Sequence, residues 1–488
     1  MITKRIFASL LASAALPLGA CSTTVNYPGE ERGVQSVPLA AAGADEMPAT
    51  VQDAPRAKNV ILFIGDGMGI STITAARIYA GQKLGMTGEE YILPFENFEH
   101  VALVKTYNTN SQVPDSAGTA TAMHTGQKTR IGVLGIGPDA SRGSCAESLA
   151  NPLPLLGEEV KRRGLALGFV STTRLTHATP ASVYARSADR NWESDAAIPE
   201  DQRGLGCNDI ASQLVAADWD VALGGGVGAF FGSATGGARS ESDSNLPGAW
   251  VTRTGGTYVT TSSELAVAPT DKPVLGLFSP SHMTYMVQRE DTTTEPTLTD
   301  MTAQAISRLS GDSDGFYLMV EGGRIDHAHH DGQAGVALEE TVEFARAIQY
   351  AIDNTDPEET LILVTADHSH VFTISGYPRR GNDILGLVVP PDGERGAPAG
   401  EPLLAADGKP YTTLGYANGP GAIAGQAERP VPETGIEARQ QATIPLGSET
   451  HAGEDVALYA NGPGADAARG VIEQNVIYDI IRRAFGWN

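Results

Sequence analysis

Residues 59–69 read Asn-Val-Ile-Leu-Phe-Ile-Gly-Asp-Gly-Met-Gly, an apolar run that ends in an acidic residue framed by glycines. The run from Val60 to Ile64 does not alternate with polar residues, which is typical of a strand buried on both faces of a parallel sheet. Asp66 would then lie at the carboxyl end of that strand. In open α/β sheets this edge is where ligands bind.

Short runs of the same kind recur along the chain, at Val101–Val104, Ala166–Ser171, Val221–Leu223, Phe316–Val320, Leu361–Thr365 and Ile384–Val389. Stretches with helical periodicity lie between them, among them Pro154–Arg163, Asp300–Leu309 and Gly335–Ala351. This alternation predicts an α/β fold with a mostly parallel central sheet flanked by helices. Residues 390–445 are rich in Gly and Pro, and we predict a loop-rich insertion there.

The first 20 residues have the order of an export signal. Lys4 and Arg5 precede an apolar run from Ile6 to Ala15, which is too short to span a bilayer. The following Leu-Gly-Ala-Cys resembles the lipobox of bacterial lipoproteins, so we predict lipidation of Cys21 and a lipid-anchored protein of the periplasm or cell envelope. An ordinary signal peptide cut nearby is the alternative. Residues 21–56 lack apolar periodicity and are predicted to form a flexible tether or N-terminal arm.

Two cysteines remain besides Cys21, namely Cys145 and Cys207. In an oxidising compartment an even pair predicts a disulfide, and two unpaired buried thiols are the alternative.

The charge of the chain limits the ligands it can bind, since 58 acidic residues against 34 basic ones leave a formal net charge of −24. A polyanion would be repelled, so we expect no nucleic-acid binding, and any phosphate handled by the protein needs a local cluster of cations.

Acidic residues follow three of the predicted strands. Asp66, Glu321 and Asp367 stand at strand ends, and three carboxylates gathered at one edge would repel one another unless cations lie between them. His368 follows Asp367, and His330 lies four residues after Asp326, one helical turn away. Carboxylates together with imidazoles suit zinc. Any single one of these residues is more often a surface side chain, but the complete set predicts metal.

Ser116 lies in Pro-Asp-Ser-Ala-Gly-Thr-Ala (residues 114–120), next to small residues that favour a helix. Near a helix N-terminus its hydroxyl and the neighbouring amides could hold a phosphate. Taken alone, the segment predicts only an N-cap at Asp115 or Ser116. Ser116 does not lie in a Gly-x-Ser-x-Gly nucleophile elbow, and an adjacent metal could activate its hydroxyl without a histidine base.

Together these segments resemble the alkaline phosphatase family, from Lys58 to the C-terminus. The nucleophile segment is residues 113–122, the magnesium and phosphate-arginine segments are residues 171–174, 177–181 and 189–192, and the metal segments are residues 320–330, 365–370 and 449–456. Their form is that of the animal enzymes, in which a disulfide stands where Cys145 and Cys207 stand here. The resemblance implies a catalytic domain over residues 57–488, with residues 390–445 as a crown-like insertion.

The resemblance also implies the function, which is hydrolysis of phosphate monoesters at alkaline pH through a phosphoserine on Ser116. Arg190 would bind the phosphate. The expected cofactors are two Zn²⁺ and one Mg²⁺ per subunit, with one zinc on Asp326, His330 and His451, the second zinc on Asp66, Asp367 and His368, and magnesium on Asp66, Thr179 and Glu321. The family implies a homodimer acting on small phosphate monoesters.

The chain departs from known members at a few positions. His177 and His327 replace the Asp and Lys of the best-known bacterial form, and we expect both beside the metal ligands without binding metal themselves. Phe278 and Glu295 resemble parts of a fourth, calcium site, but Ser279 stands where a carboxylate belongs, so no calcium site is predicted. Two other functions are weighed: a related phosphodiesterase or sulfatase, and a non-catalytic lipoprotein that binds zinc or phosphate.

Overall fold

The computed structural model describes residues 56–487. The predicted signal peptide, Cys21 and all but the last residue of the predicted tether lie outside this range. Among the described residues, no helix has the length and apolar character needed to cross a membrane.

The strands are β1 (Asn59–Gly65), β2 (His100–Lys105), β3 (Ala166–Arg174), β4 (Val221–Gly225), β5 (Thr257–Val259), β6 (Val274–Leu277), β7 (Phe316–Glu321), β8 (Thr360–Ala366), β9 (Ser369–His370), β10 (Phe372–Ile374), β11 (Leu414–Gly419), β12 (Ala442–Pro445), β13 (His451–Ala452), β14 (Val456–Asn461) and β15 (Gly470–Glu473). The α-helices are α1 (Ile70–Lys83), α2 (Ser116–Thr125), α3 (Cys145–Ala150), α4 (Leu156–Arg162), α5 (Ala178–Ala181), α6 (Ile210–Ala216), α7 (Leu246–Thr254), α8 (Ser262–Val267), α9 (Leu298–Leu309), α10 (Arg324–His330), α11 (Ala334–Asn354) and α12 (Val476–Ala484). Short 3₁₀ segments lie at Pro94–Asn97, Asp195–Ala197, Glu200–Gln202, Val227–Ala229, Ser233–Thr235, Met286–Gln288 and Ala465–Ala467.

Ten strands form the central sheet, in the order β15-β2-β14-β8-β1-β7-β3-β4-β6-β5. Only β14 runs against its neighbours, so the predicted mostly parallel α/β sheet is confirmed. The middle strands are buried along nearly their whole length, because helices cover both faces of the sheet. The helices predicted around residues 154–163, 300–309 and 335–351 are also present, as α4, α9 and α11.

The strand predicted at Ile384–Val389 is wrong. This segment forms turns, and Leu387 pairs only as an isolated bridge with Thr412. The reason lies in the polar residues before it, since the Asp383 carboxylate accepts the Leu385 N–H and Asn382 Nδ2 donates to the Leu387 carbonyl. Ile384, Leu385 and Val388 are buried without belonging to a sheet. The continuous apolar run in the sequence therefore indicates burial here and not a strand.

Two small sheets lie beside the central one. β11 pairs with β10 and β12, which gives the region near residues 390–445 some strand structure among its loops. β9 pairs with β13 so that His370 lies opposite His451. This second pairing matters for the site, because it brings the chain after residue 450 to the carboxyl end of β8.

Candidate active site and metal centre

Three adjacent strands of the central sheet, β8, β1 and β7, end at the candidate site. Asp66 follows β1, Glu321 is the last residue of β7, and Asp367 follows β8, and all three side chains are fully buried. The glycine at position 67 permits the close packing here, since its φ is +69° and a Cβ would lie 2.3 Å from His370 Nε2. Its N–H donates to Asp367 Oδ1 over 3.0 Å.

Burial raises the pKa of Asp66 well above its ordinary range, and the neighbouring Asp367, Asp326 and Glu321 carboxylates raise it further. Burial likewise raises the pKa of Glu321 to about 7 and raises that of Asp367. Carboxylates in this position are stable as anions only when cations compensate them. The electrostatics of the site therefore fit bound metal ions.

One group of possible ligands joins α10 to β13. Asp326 Oδ1 lies 3.3 Å from His330 Nε2 and 3.3 Å from His451 Nε2, and the two imidazole nitrogens are 3.1 Å apart. His330 Nδ1 faces the Glu449 carbonyl at 2.6 Å, and His451 Nδ1 faces the Pro114 carbonyl at 2.8 Å. Because a carbonyl only accepts, each Nδ1 carries the proton and each Nε2 lone pair points at the shared space, as in a metal site.

A second group consists of Asp66, Asp367 and His368. His368 Nε2 lies 3.4 Å from Asp66 Oδ1 and 3.3 Å from Asp367 Oδ2. Burial holds the pKa of His368 well below its ordinary value, so the ring is neutral and has a lone pair to offer. The three donor atoms lie close enough to one another to share one ion.

A third group surrounds the other side of Asp66. Three oxygens of this group are buried and have no hydrogen-bond partner among the described residues: Asp66 Oδ2, Thr179 Oγ1 and Glu321 Oε1. Buried polar atoms are normally paired, and an ion at this place would satisfy them. The sequence analysis did not count His177 as a metal ligand. One nitrogen of its ring is nevertheless close enough to Asp66 and Glu321 to share an ion with them. His177 Nδ1 is also buried without a hydrogen-bond partner among the described residues.

Ser116 is the first residue of α2. Its Oγ lies 3.4 Å from Asp66 Oδ1 and 3.2 Å from His368 Nε2, and the side chain is almost fully buried. The N-cap is Asp115, whose Oδ1 accepts the Gly118 N–H over 3.1 Å. The Ser116 hydroxyl is therefore not needed for capping and faces the carboxylates and imidazoles of the second group.

Arg190 lies on the wall of the cavity that contains Ser116. Its Nη1 donates to Asp115 Oδ2 over 3.0 Å, and its Nη2 donates to His177 Nε2 over 2.9 Å. Burial opposes the guanidinium charge, but Asp115 holds the pKa of Arg190 above its ordinary value. The ion pair with Asp115 holds the guanidinium at the wall of a cavity of about 400 Å³.

His327 lies close to His177, with ring centroids 5.5 Å apart. Burial lowers its pKa to about 3, and its Nδ1 accepts a hydrogen bond of 3.1 Å from Arg324. Both histidines predicted beside the metal ligands thus line the cavity as neutral rings. His177 is the one that approaches the carboxylates.

His370 was missed by the sequence analysis as a site residue. Its Nε2 lies 2.9 Å from Asp326 Oδ1 and its Nδ1 lies 2.5 Å from Glu449 Oε2, so it joins two carboxylates. Burial lowers its pKa, but hydrogen bonds to Asp326 and Glu449 outweigh burial and raise the pKa to about 9. A signal was available, because His370 lies two positions after His368 and residues at that spacing share one face of an extended chain.

Two further sequence predictions concern residues outside the three groups. Cys145 and Cys207 form the predicted disulfide, with their Cα atoms 5.8 Å apart. At the segment compared with a calcium site, Ser279 Oγ donates to the Ser281 carbonyl, and Glu295 accepts from Thr284 and pairs with Arg289 at 3.4 Å. Glu295 therefore has protein partners of its own.

Comparison with known proteins gives consistent matches. The family model described as alkaline phosphatase matches residues 57–486. The tissue-nonspecific isozyme of alkaline phosphatase from Gallus gallus is 44% identical over 444 residues, which cover 86% of this chain and 83% of that protein. The Homo sapiens isozyme is 42% identical over 454 residues, 88% of this chain and 83% of that protein. The solved structure of Thermus thermophilus alkaline phosphatase shares the fold, with a TM-score of 0.65 at 24% identity, covering 89% of this chain and 92% of that chain.

Proposed function

The chain belongs to the alkaline phosphatase family and is a phosphoric monoester hydrolase, and on that premise we propose that Ser116 is the nucleophile on which a phosphoserine forms. The observation that carries this proposal is the position of its hydroxyl. Asp115 caps α2, so the Ser116 hydroxyl is not needed for capping. Ser116 Oγ lies within 3.4 Å of a buried carboxylate, and Ser116 lines the same cavity as Arg190.

The proposed cofactors are two Zn²⁺ and one Mg²⁺ per subunit. Asp326, His330 and His451 would hold one zinc, and Asp66, Asp367 and His368 the second. Asp66, Thr179 and Glu321 would hold magnesium, with His177 beside them. The support is the donor chemistry: imidazoles whose Nε2 atoms face the carboxylates in the first two groups, and unpaired oxygens in the third. When bound, such cations lower the pKa of a nearby hydroxyl and compensate negative charge on the attacking and leaving oxygens.

In the first step, Ser116 Oγ loses its proton and attacks phosphorus. The Oγ–P bond forms as the bond from phosphorus to the ester oxygen breaks, and the alcohol leaves after taking a proton from water. Arg190 holds two non-bridging phosphate oxygens through its guanidinium, which Asp115 and His177 keep in place. Ser116 is the first residue of α2, and the N-terminal end of a helix favours the added negative charge.

In the second step, water attacks the phosphorus of the phosphoserine. The Oγ–P bond breaks, inorganic phosphate is released, and Ser116 is restored. Positioning and charge compensation supply most of the rate in a displacement of this kind. Because Ser116 must lose its proton for the first step, we expect activity to increase toward alkaline pH.

Two further proposals concern the location and assembly of the protein. The export signal and the Leu-Gly-Ala-Cys segment support a lipid-anchored protein of the periplasm or cell envelope, with Cys21 as the acylated residue. Family membership supports a homodimer, to which the N-terminal arm could contribute. Membrane fractionation of a Cys21→Ser variant tests the anchor, and sedimentation of the purified enzyme tests the dimer.

Replacing Ser116 with Ala tests the nucleophile. We expect kcat to fall on the order of a thousandfold or more while zinc content stays near that of the wild type. Ser148→Ala is a matched control, because Ser148 is a buried serine in α3 outside the cavity. Loss of zinc together with activity would make Ser116 a structural residue instead. Comparing a chromogenic monoester with a diester and a sulfate ester separates the monoesterase from related hydrolases and from a non-catalytic binding protein.

A further inference from the structure

The cavity that contains Ser116 is larger than a phosphoryl group needs. Its volume of about 400 Å³ falls in the range of pockets that hold a whole small molecule. Its lining residues are Ser116, Arg174, His177, Arg190, Asn191, Glu193, Asp326, His327, His330 and His451. Of these, Arg174, Asn191 and Glu193 have no proposed role toward the phosphoryl group, so they are available to contact the alcohol portion of a substrate.

A series of contacts leads from Arg190 through two histidines to a second arginine. Arg190 bonds to His177, the rings of His177 and His282 lie 5.4 Å apart, and His282 Nε2 contacts the Arg174 guanidinium. Burial lowers the pKa of His282, so this ring is neutral and contributes no charge. The series therefore places a second arginine, Arg174, in the same cavity as the one proposed to hold phosphate.

Glu193 pairs with this second arginine through both of its oxygens. Arg174 Nε donates to Glu193 Oε2 over 2.8 Å, and Arg174 Nη2 donates to Glu193 Oε1 over 2.7 Å. Thr176 Oγ1 also donates to the carboxylate, which fixes its orientation. Both members of the pair line the cavity and are partly exposed, with 25% of the Arg174 side chain and 19% of the Glu193 side chain accessible.

The pair is also close to the phosphate-binding position. Glu193 follows Arg190 by three residues, and three residues of extended chain span at most about 11 Å. An anionic group on the alcohol portion of a bound ester would therefore lie within reach of Arg174. With Glu193 present, the charge of that arginine is already compensated.

We propose that Glu193 is a specificity-determining residue, which masks Arg174 and so disfavours phosphate monoesters whose alcohol portion carries an additional anionic group. This inference rests on the proposed function, since it concerns the leaving-group side of the same cavity. The Arg174–Glu193 pair has little effect on kcat/KM for esters whose alcohol portion is neutral. Esters of hydroxy acids, whose leaving group bears a carboxylate, meet a guanidinium whose charge Glu193 already compensates and, beside it, the negative charge of Glu193 itself.

The test uses two substrates that differ in one group, glycerol 2-phosphate and glycerate 2-phosphate, the second bearing a carboxylate in place of a hydroxymethyl. The measured quantity is the ratio of kcat/KM for the anionic ester to kcat/KM for the neutral one. In Glu193→Gln we expect this ratio to rise roughly threefold to tenfold, because a nearby charge is unmasked at a partly solvated site. In Arg174→Gln it should fall below the wild-type ratio, and in the double variant it should return close to the wild-type ratio.

The increase in Glu193→Gln should shrink at high ionic strength, as expected for a charge effect. Glu158→Gln is the matched control, because Glu158 forms a similar two-oxygen pair with Arg186 and does not line the cavity. Equal changes for both esters in Glu193→Gln would overturn the inference, as would an undiminished increase in the double variant. Activity on the neutral ester reports separately on the proposed function, since its absence from the wild type would contradict the hydrolase and not the role of Glu193.

Discussion

Arg190 donates to Asp115, the residue directly before Ser116, over 3.0 Å. The two oxygens of Asp115 have different partners: Oδ1 accepts from the Gly118 and Gly132 amides, and Oδ2 accepts from the guanidinium. One carboxylate thus caps the helix that begins with Ser116 and holds the arginine proposed to bind phosphate. The positions of the proposed nucleophile and of the phosphate-binding cation are therefore set by the same side chain.

Replacing Arg190 with Ala should weaken inhibition by inorganic phosphate and leave the metal content unchanged. A charge-assisted bidentate pair is worth roughly 1.5 to 3 kcal/mol, so we expect at least about a tenfold increase in the phosphate inhibition constant. Arg142→Ala is a suitable control, because Arg142 pairs with Asp189 in the same segment but does not line the cavity. An unchanged inhibition constant in Arg190→Ala would contradict the assignment.

Most of the central sheet could be predicted from the sequence because its strands are buried on both faces. A run such as Val60–Ile64 has no polar residue to confuse its assignment. The strand order and the reversed β14 could not be predicted, since they depend on contacts between distant segments. The error at Ile384–Val389 has a different, local origin, because an apolar segment held in turns by neighbouring polar side chains has the composition of a buried strand.

The candidate site was predictable where it depends on strand ends. Asp66 follows β1, Glu321 is the last residue of β7, and Asp367 follows β8. These three strands are adjacent and parallel, so their carboxyl ends lie together. The contacts of His370 with Glu449 and of Arg174 with Glu193 were not predicted. Both depend on how separate loops meet, and neither residue pair has a spacing that marks it in the sequence.

Changing His177 to Asp and His327 to Lys should tighten magnesium binding and preserve zinc. His177 lies beside Asp66 and Glu321, and an added carboxylate there attracts a divalent cation or its bound waters more strongly than a neutral imidazole does. We expect the double variant to need less added magnesium than the wild type to recover activity after dialysis. Its pH profile should also change.

The recovery curve is the measurement, together with zinc content by mass spectrometry. His124→Gln offers a comparison, because His124 is a buried histidine that bonds to Tyr317 and Ser182 and does not line the cavity. Identical curves for wild type and double variant would show that these two histidines do not set magnesium affinity. Loss of zinc on changing His177 would instead make it a zinc ligand.

Removing the disulfide should destabilise the segment that carries Arg190. Cys145 and Cys207 are 62 residues apart, and the loop they close contains both Thr179 and Arg190. In the chain-entropy model, opening a loop of this size costs about 4 kcal/mol of unfolding free energy. We expect Cys145→Ser/Cys207→Ser to unfold at lower denaturant concentration than the oxidised wild type. A reductant should lower the wild-type midpoint and leave the double variant unaffected, and equal midpoints for all samples would refute this role.

The last prediction concerns a buried carboxylate on α11. Glu340 is 5% exposed and accepts the Met286 N–H over 2.5 Å. Burial raises its pKa from the ordinary 4.5 to about 7. Below about pH 4.5 the group is protonated in both the folded and the unfolded protein, so it costs no stability there. Between about pH 4.5 and pH 7 the Glu340 carboxyl group is ionised in the unfolded chain but still mostly protonated in the folded protein. The free energy of unfolding therefore decreases as the pH rises through this range.

Above about pH 7 both states are ionised and the full cost, on the order of 3 kcal/mol, is present. Glu340→Gln keeps the acceptor oxygen for Met286 but has no charge to bury, so the variant should gain stability relative to the wild type as the pH rises from about 5 to 8. The measurement is the free energy of unfolding in urea at each pH, with metal concentrations held constant, and the exposed Glu358→Gln serves as the control. A difference between Glu340→Gln and wild type that stays constant across this range would show that Glu340 is ionised in the folded protein without cost, because its neighbours Arg324 and Arg289 compensate the charge.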